Sequence, residues 1–185
     1  MTSALAGLRD PSNADLRRAP TAAALRASAG GRVLAGGLYR VMDDAAAAAI
    51  RPPLAAMYPD GGAGLDPFGS DWLGRVFATR ADRPGMVVIA EPGTADLLEV
   101  PVGLEEFHAS EIVEHADAAL AASFYDAWRA DGGAAPEASQ CVGYRQPLFL
   151  GGADEVENLQ LSDMDVYWSV MAQTVERIRS RTDSG

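Results

Sequence analysis

His108, Glu111 and His115 are spaced i, i+3 and i+7, so a single unbroken helix would put two imidazoles and a carboxylate on one face. Such a set could hold a divalent cation for metal-assisted hydrolysis. Two features count against it. Ser110 can start a new helix after His108, leaving Glu111 and Glu114 as acids favoured by the helix dipole. The sequence also offers no further group to close the metal shell. Carboxylates pair at Asp43 and Asp44, Glu105 and Glu106, Glu155 and Glu157, and Asp163 and Asp165. General acid–base work needs two carboxyls in contrasting environments, whereas each of these pairs sits at a helix start or in a glycine-flanked loop, where a solvated cap explains it. Cys141 has no histidine near it in sequence and reads as a buried structural thiol. Gly151 and Gly152 are followed by Asp154 and Glu155, not by the Lys and Thr of a phosphate loop, and acid there repels phosphate. Tyr144, Phe149, Tyr167 and Trp168 could stack a nucleobase, but without bases around them a packed core is the simpler outcome. No catalytic residue, metal or cofactor is expected.

The elements that would carry these residues follow from periodicity and turn chemistry. Residues 1–31 read as an N-terminal arm or peripheral helix, starting at Asn13 or Asp15 and ended by Gly30 and Gly31. A strand at 38–42 precedes a helix capped by Asp43, which Pro52 and Pro53 should break. Residues 65–70 look irregular, with Phe68 and Trp72 as anchors. Three strands at 75–79, 86–91 and 96–100 form an antiparallel meander, and the apolar run 86–89 suits a central strand covered on both faces. From 104 the period becomes helical, with a long amphipathic helix over 111–130.

Residues 141–170 hold the densest signal. An aromatic strand runs into the Gly-Gly turn, then come an acidic loop at 154–157 and a short alternating strand at 158–161. Ser162 and Asp165 cap a helix whose apolar stripe is Met164, Tyr167, Trp168, Met171, Val175 and Ile178. The fold class is α+β, a mostly antiparallel sheet with helices packed on one face, ending in a long C-terminal helix.

The chain has 185 residues, enough for a sizeable core. Fifteen bases, all arginine, face 26 acids, for a net charge of −11. That balance disfavours direct binding to nucleic acid, which needs clustered positive charge. It suits a basic protein partner, although solubility alone would account for it equally well. No apolar run is long enough to span a bilayer, and the N-terminus lacks the pattern of a signal peptide, so a cytoplasmic protein without membrane contact is expected.

At Gly143, Tyr144, Pro147 to Gly152, Asn158, Leu159, Asp163, Val166, Tyr167 and Trp168 the sequence resembles the C-terminal domain of the type VI secretion DNase-immunity family. Upstream, GLYRV, PFGSDWLGRVFA and EPGTADLLEVP are similar to the companion domain called GAD-like. The family is similar in general fold to the SMI1/KNR4-like immunity superfamily. The resemblance implies a GAD-like α+β domain at 32–103 and an immunity-protein C-terminal domain at 104–185, closely packed on the first. It also implies a cytoplasmic antidote that binds and silences a secreted toxin, often a nuclease, and it brings no catalytic residues with it. A nuclease needs a basic cleft, which an acidic antidote can occupy or flank. The expected contacts are Asp154, Glu155, Glu157 and Asp163, then Glu105, Glu106, Glu111 and Glu114. A regulatory scaffold of the same fold with a different partner, or a metal-dependent hydrolase using His108, Glu111 and His115, remains the alternative.

Overall fold

A computed structural model describes residues 7–182; residues 1–6, part of the expected N-terminal arm, and 183–185 lie outside the described residues. Six antiparallel strands follow one another in sequence order across the main sheet. They are β1 (Val33–Leu34), β2 (Tyr39–Val41), β3 (Leu65–Asp71), β4 (Val76–Arg80), β5 (Val87–Glu91) and β6 (Asp96–Val100). A separate pair, β7 (Gln140–Tyr144) and β8 (Leu159–Asp163), is also antiparallel and sets Tyr144 opposite Leu159. The helices are α1 (Ala22–Ala29), α2 (Asp44–Met57), α3 (Ala116–Leu120), α4 (Ala122–Ala130) and the long α5 (Met164–Thr182), with short helical turns between them.

Strand alternation divides the core in two. On β4 and β5, Phe77, Val87 and Ile89 pack with Leu25 of α1, Phe107, Ile112 and Leu120. Val76, Ala78, Val88 and Ala90 pack instead with Ile50 and Leu54 of α2 and with Trp168 and Met171 of α5. Both faces of β5 are therefore buried, which is why 86–89 reads as an unbroken apolar run. The α+β class, the antiparallel sheet and the long last helix are as the sequence implied, but helices cover both faces of the sheet instead of one.

Several local expectations are corrected. Residues 11–18 form two 3₁₀ turns capped by Asp10 and Asp15, and the α-helix begins only after Thr21, whose hydroxyl accepts from the Ala24 amide at 3.1 Å. Helix α2 runs through Pro52 and Pro53 unbroken. The amides those prolines lack would have reached Ala48 and Ala49, both exposed, so water can serve the freed carbonyls. Residues 65–71 form the regular strand β3. Pro67 is tolerated there because β2 pairs only with 69–71, and a bulge between Pro67 and Gly69 absorbs the irregularity.

The turn between β3 and β4 joins the two halves of the chain. Trp72 donates its indole N–H to the Leu120 carbonyl at 3.0 Å, and its own carbonyl accepts from the Val142 amide at 2.6 Å. Two residues on, the Gly74 carbonyl accepts from the Trp168 indole at 2.8 Å. These are buried donors and acceptors, each costly to leave unpaired, so the turn ties α3, β7 and α5 to the sheet.

Candidate functional site

Residues 104–130 do not make one helix. A π-turn at Phe107–Glu111 and a kink at His115 precede α3, and Ala121 then adopts the left-handed conformation at φ 49° and ψ 48° before α4 starts. The break exposes the Ala119 and Leu120 carbonyls to buried donors, Arg75 Nη2 at 3.1 Å and Trp72 Nε1 at 3.0 Å. Tertiary hydrogen bonds have thus replaced intrahelical ones, which periodicity alone could not reveal.

This geometry dissolves the His108, Glu111 and His115 set. His108 is buried among Tyr39, Phe68 and Phe107. Its Nδ1 donates to the Leu104 carbonyl at 2.9 Å, which leaves Nε2 to accept from the Tyr39 hydroxyl at 2.8 Å. Burial drives its pKa down to about 4, so it is a neutral core imidazole with both nitrogens engaged. His115 is exposed. Among the described residues no group of three or more His, Cys, Asp or Glu could hold a metal ion. Cys141 is fully buried beside Gly74, and burial pushes its thiol up to about 12, far from a nucleophile.

In residues 141–170 the glycines, Asn158 and the buried aromatics of the motif act as fold determinants. A side chain at Gly143 would run into the Tyr167 ring, and one at Gly152 into the Gln146 carbonyl. Asn158 staples the connection: Oδ1 accepts from the Gln146 amide at 3.0 Å, and Nδ2 donates to the carbonyls of Gln146 and Ala153 at 2.9 and 2.8 Å. Residues 148–150 form a 3₁₀ turn rather than a strand, closed by Gly151 at φ 80°. Ser162 stays within β8, so the expected capping pair does not form; α5 starts at Met164, and Asp165 accepts from the Val166 amide at 2.8 Å. Ile178 leaves the buried stripe and is 38% exposed.

Of the eight carboxylates expected to meet a partner, Asp154, Glu155, Glu157, Asp163, Glu105, Glu106 and Glu114 are exposed and Glu111 is half-buried. None of them is in an ion pair among the described residues. They fall on separate elements: Glu105 and Glu106 in the turn after β6, Glu111 in the π-turn, Glu114 just before the His115 kink, 154–157 between β7 and β8, and Asp163 at the end of β8. Asp154 differs from the rest. It accepts from the Tyr144 hydroxyl at 2.6 Å and borders a cleft of about 240 Å³ with Arg75 and Glu91, so it holds its loop in place. Burial, and after it the Asp154 carboxylate, push the Tyr144 phenol up.

Two features escaped the sequence. Beneath the smaller cleft lies a buried ion network, in which Arg75 Nε donates to Asp71 Oδ2 at 2.6 Å and Nη1 to Glu91 Oε1 at 3.3 Å. Burial pushes the Asp71 carboxyl up, with Arg75 opposing it. The second is a larger cleft of about 440 Å³ where β1, β2 and the start of α2 meet the β8–α5 junction. Arg40 lies at this cleft and turns its guanidinium to the carbonyls of Glu137, Gln140 and Asp71. The sequence signal for both was thin, single Arg and Asp residues in or beside strands, where burial cannot be told from exposure.

Fold and surface together define an α+β protein with a doubly covered antiparallel sheet, whose expected partner-binding acids mostly face solvent. Residues 103–175 match the family described as T6SS immunity protein Tdi1, C-terminal, a span that contains every motif position from Gly143 to Trp168. Among solved structures, the crystal structure of Atu4351 from Agrobacterium tumefaciens aligns with a TM-score of 0.54 at 11% identity, over 76% of this chain and 69% of that one. At that identity the likeness is one of fold. No curated protein sequence matches the chain. No helix among the described residues is long and apolar enough to cross a membrane.

Proposed function

We propose that this chain is an immunity protein of a type VI secretion system that binds its cognate toxin in the cytoplasm and silences it, and that the toxin is a DNase. The match of residues 103–175 to the Tdi1 C-terminal family carries the reading. The charge of −11 supports the nuclease part, since an enzyme that grips a phosphate backbone presents a basic cleft that an acidic antidote complements. On this reading 32–103 is the GAD-like domain and 104–185 the immunity module, and the unpaired carboxylates Glu155, Glu157, Asp163, Glu105, Glu106, Glu111 and Glu114 steer the encounter. Asp154 contributes by fixing the loop through Tyr144.

The test is co-purification with the product of the adjoining effector gene, followed by a DNA-cleavage assay with and without this protein. A stable complex and abolished cleavage are expected. An effector that cleaves no DNA removes the DNase part, and an effector that is not bound removes the immunity reading. Charge reversal by Glu155→Lys with Glu157→Lys should slow association about three- to tenfold at low salt and flatten its salt dependence. Equal association rates across salt would refute the steering role of the loop.

A further inference from the structure

Seven large apolar side chains are exposed among the described residues, and four of them sit on elements that meet at the larger cleft. Val33 lines the larger cleft, Leu161 sits on β8, which ends at that cleft, and Val166 and Val170 lie in the first two turns of α5, which begins there. On α5, Val166 and Val170 are one turn apart and only about 40° apart around the axis, so they share an outer face, whereas Ile178 is turned about 120° from Val166, toward the side of Tyr167 and Met171. Val166 and Val170 are each 52% exposed. Thr174 returns its hydroxyl to the Val170 carbonyl at 2.7 Å, so its polar group is satisfied within the helix. The other apolar face, with Tyr167, Trp168, Met171 and Val175, is already buried in the core. In its first two turns helix α5 is therefore apolar on two sides and covered on only one. Isolated surface valines need no explanation, but a half-exposed pair one helical turn apart at the mouth of a cleft marks a contact surface.

The chemistry of the cleft says what fits. Its apolar lining includes Val33, Val41, Met42, Ile50 and Met164, and Asp43, Asp163 and Asp165 add three exposed carboxylates. Asp43 and Asp165 each accept a single backbone amide, from Ala46 and Val166 at 2.8 Å. None of the three is in an ion pair among the described residues. The one positive group in the lining, Arg40, turns Nη1 and Nη2 to backbone carbonyls of this chain, and its buried Nε has no hydrogen-bond partner among the described residues. Apolar walls with unneutralised carboxylates suit a long cationic side chain, whose methylenes lie on the walls while its head meets the acids. A second copy of this chain is a poor occupant, because each copy carries −11 and would bring acids against acids.

We propose that the cleft and the outer face at the start of α5 form the docking face for the toxin, with an arginine or lysine of the toxin seated in the cleft and apolar neighbours of that residue covering Val166 and Val170. The inference rests on the immunity reading and locates its interface at the Asp163 end of β8, away from the 154–157 loop.

Binding of the purified adjoining-gene effector to the full-length protein tests it, in wild type, in Val166→Glu with Val170→Glu, and in Asp163→Arg. All substitutions are at exposed positions, and circular dichroism and thermal melts check folding; should the glutamates disturb the helix, Val166→Ser with Val170→Ser replaces them. The expected result is a loss of affinity of at least about tenfold for the valine pair and a several-fold loss for Asp163→Arg, with protection from the toxin lost in parallel. Wild-type binding with both variants within about twofold of it overturns the docking face while leaving the immunity reading intact. Failure of the wild type itself to bind overturns the immunity reading and the docking face with it. Sedimentation of the protein alone provides the last arm: a self-association that the valine pair abolishes would make that face a contact between copies and overturn the toxin assignment.

Discussion

Arg75→Met probes the buried ion network. The Arg75 side chain is 9% exposed and that of Asp71 is 0% exposed. In the wild type Asp71 accepts from Arg75 Nε at 2.6 Å and from the Arg75 backbone amide at 2.9 Å, while Nη2 serves the Ala119 carbonyl at 3.1 Å. Methionine fills similar space but removes the charge and the side-chain donors to Asp71, Glu91 and the Ala119 carbonyl. The amide bond to Asp71 survives; the carboxylate is left buried without its cation. Removing one partner of such a pair costs about 3–5 kcal/mol. With a urea m-value of about 2 kcal/mol/M for a chain of this size, the midpoint should fall by about 1.5–2.5 M.

The loss should also depend on pH, in a direction the structure sets. Burial already raises the Asp71 carboxyl in the wild type, and taking away Arg75 removes the main influence opposing that rise. Folded Arg75→Met therefore holds a proton at pH values where the unfolded chain, with an ordinary aspartate near 4, has released it. Where the native state binds more protons, stability falls as pH rises, so the variant should be less impaired at pH 5.5 than at pH 7.5 relative to wild type. Urea unfolding of both proteins at the two pH values checks this. The double change Asp71→Leu with Arg75→Met should recover part of the loss, because no unpaired charge remains. A loss under about 1 kcal/mol at pH 7.5, or one identical at both pH values, would refute the claim that Asp71 and Arg75 form a buried, mutually dependent pair.

Ala121→Gly should stabilise the protein by about 0.5–1 kcal/mol, because alanine is strained at φ 49° and glycine is not; a rise in melting temperature of about 1–4 °C is the readout. His108 stays neutral in the fold down to about pH 4, whereas in the unfolded chain it takes a proton below about 6.5. The unfolded state then binds more protons, so stability falls as pH drops through that window, by an amount on the order of 3 kcal/mol from this group, and His108→Gln should remove that part of the slope in urea titrations at pH 7 and 4.5.

Much of the chain could be read from its residues because local rules and tertiary structure agree. The meander follows from the apolar runs and the turn at 92–95, and it appears as β4, β5 and β6. The last helix follows from the spacing of Tyr167, Trp168, Met171 and Val175, all of them buried. The aromatic and glycine positions of 141–170 read as packing determinants, and the contacts of Gly143, Asn158 and Trp168 bear that out. The acids were legible as acids, yet nothing in their spacing distinguished Asp154, tied to Tyr144, from Glu155 and Glu157, which are exposed and outside every ion pair among the described residues.

Sequence by itself determined what depends on near neighbours: the excess of negative charge, the alternation that makes strands, the periodicity of α5 and the cap at Asp43. Tertiary structure decided whatever required a partner from far along the chain. It divided residues 104–130, because Trp72 and Arg75 could reach the Ala119 and Leu120 carbonyls only across the fold. It turned His108 inward to Tyr39, 69 residues away, and so removed it from any metal set. It also left Val166 and Val170 on the outer side of α5, since only the surface of α2 and the sheet determines which apolar side chains of that helix are covered.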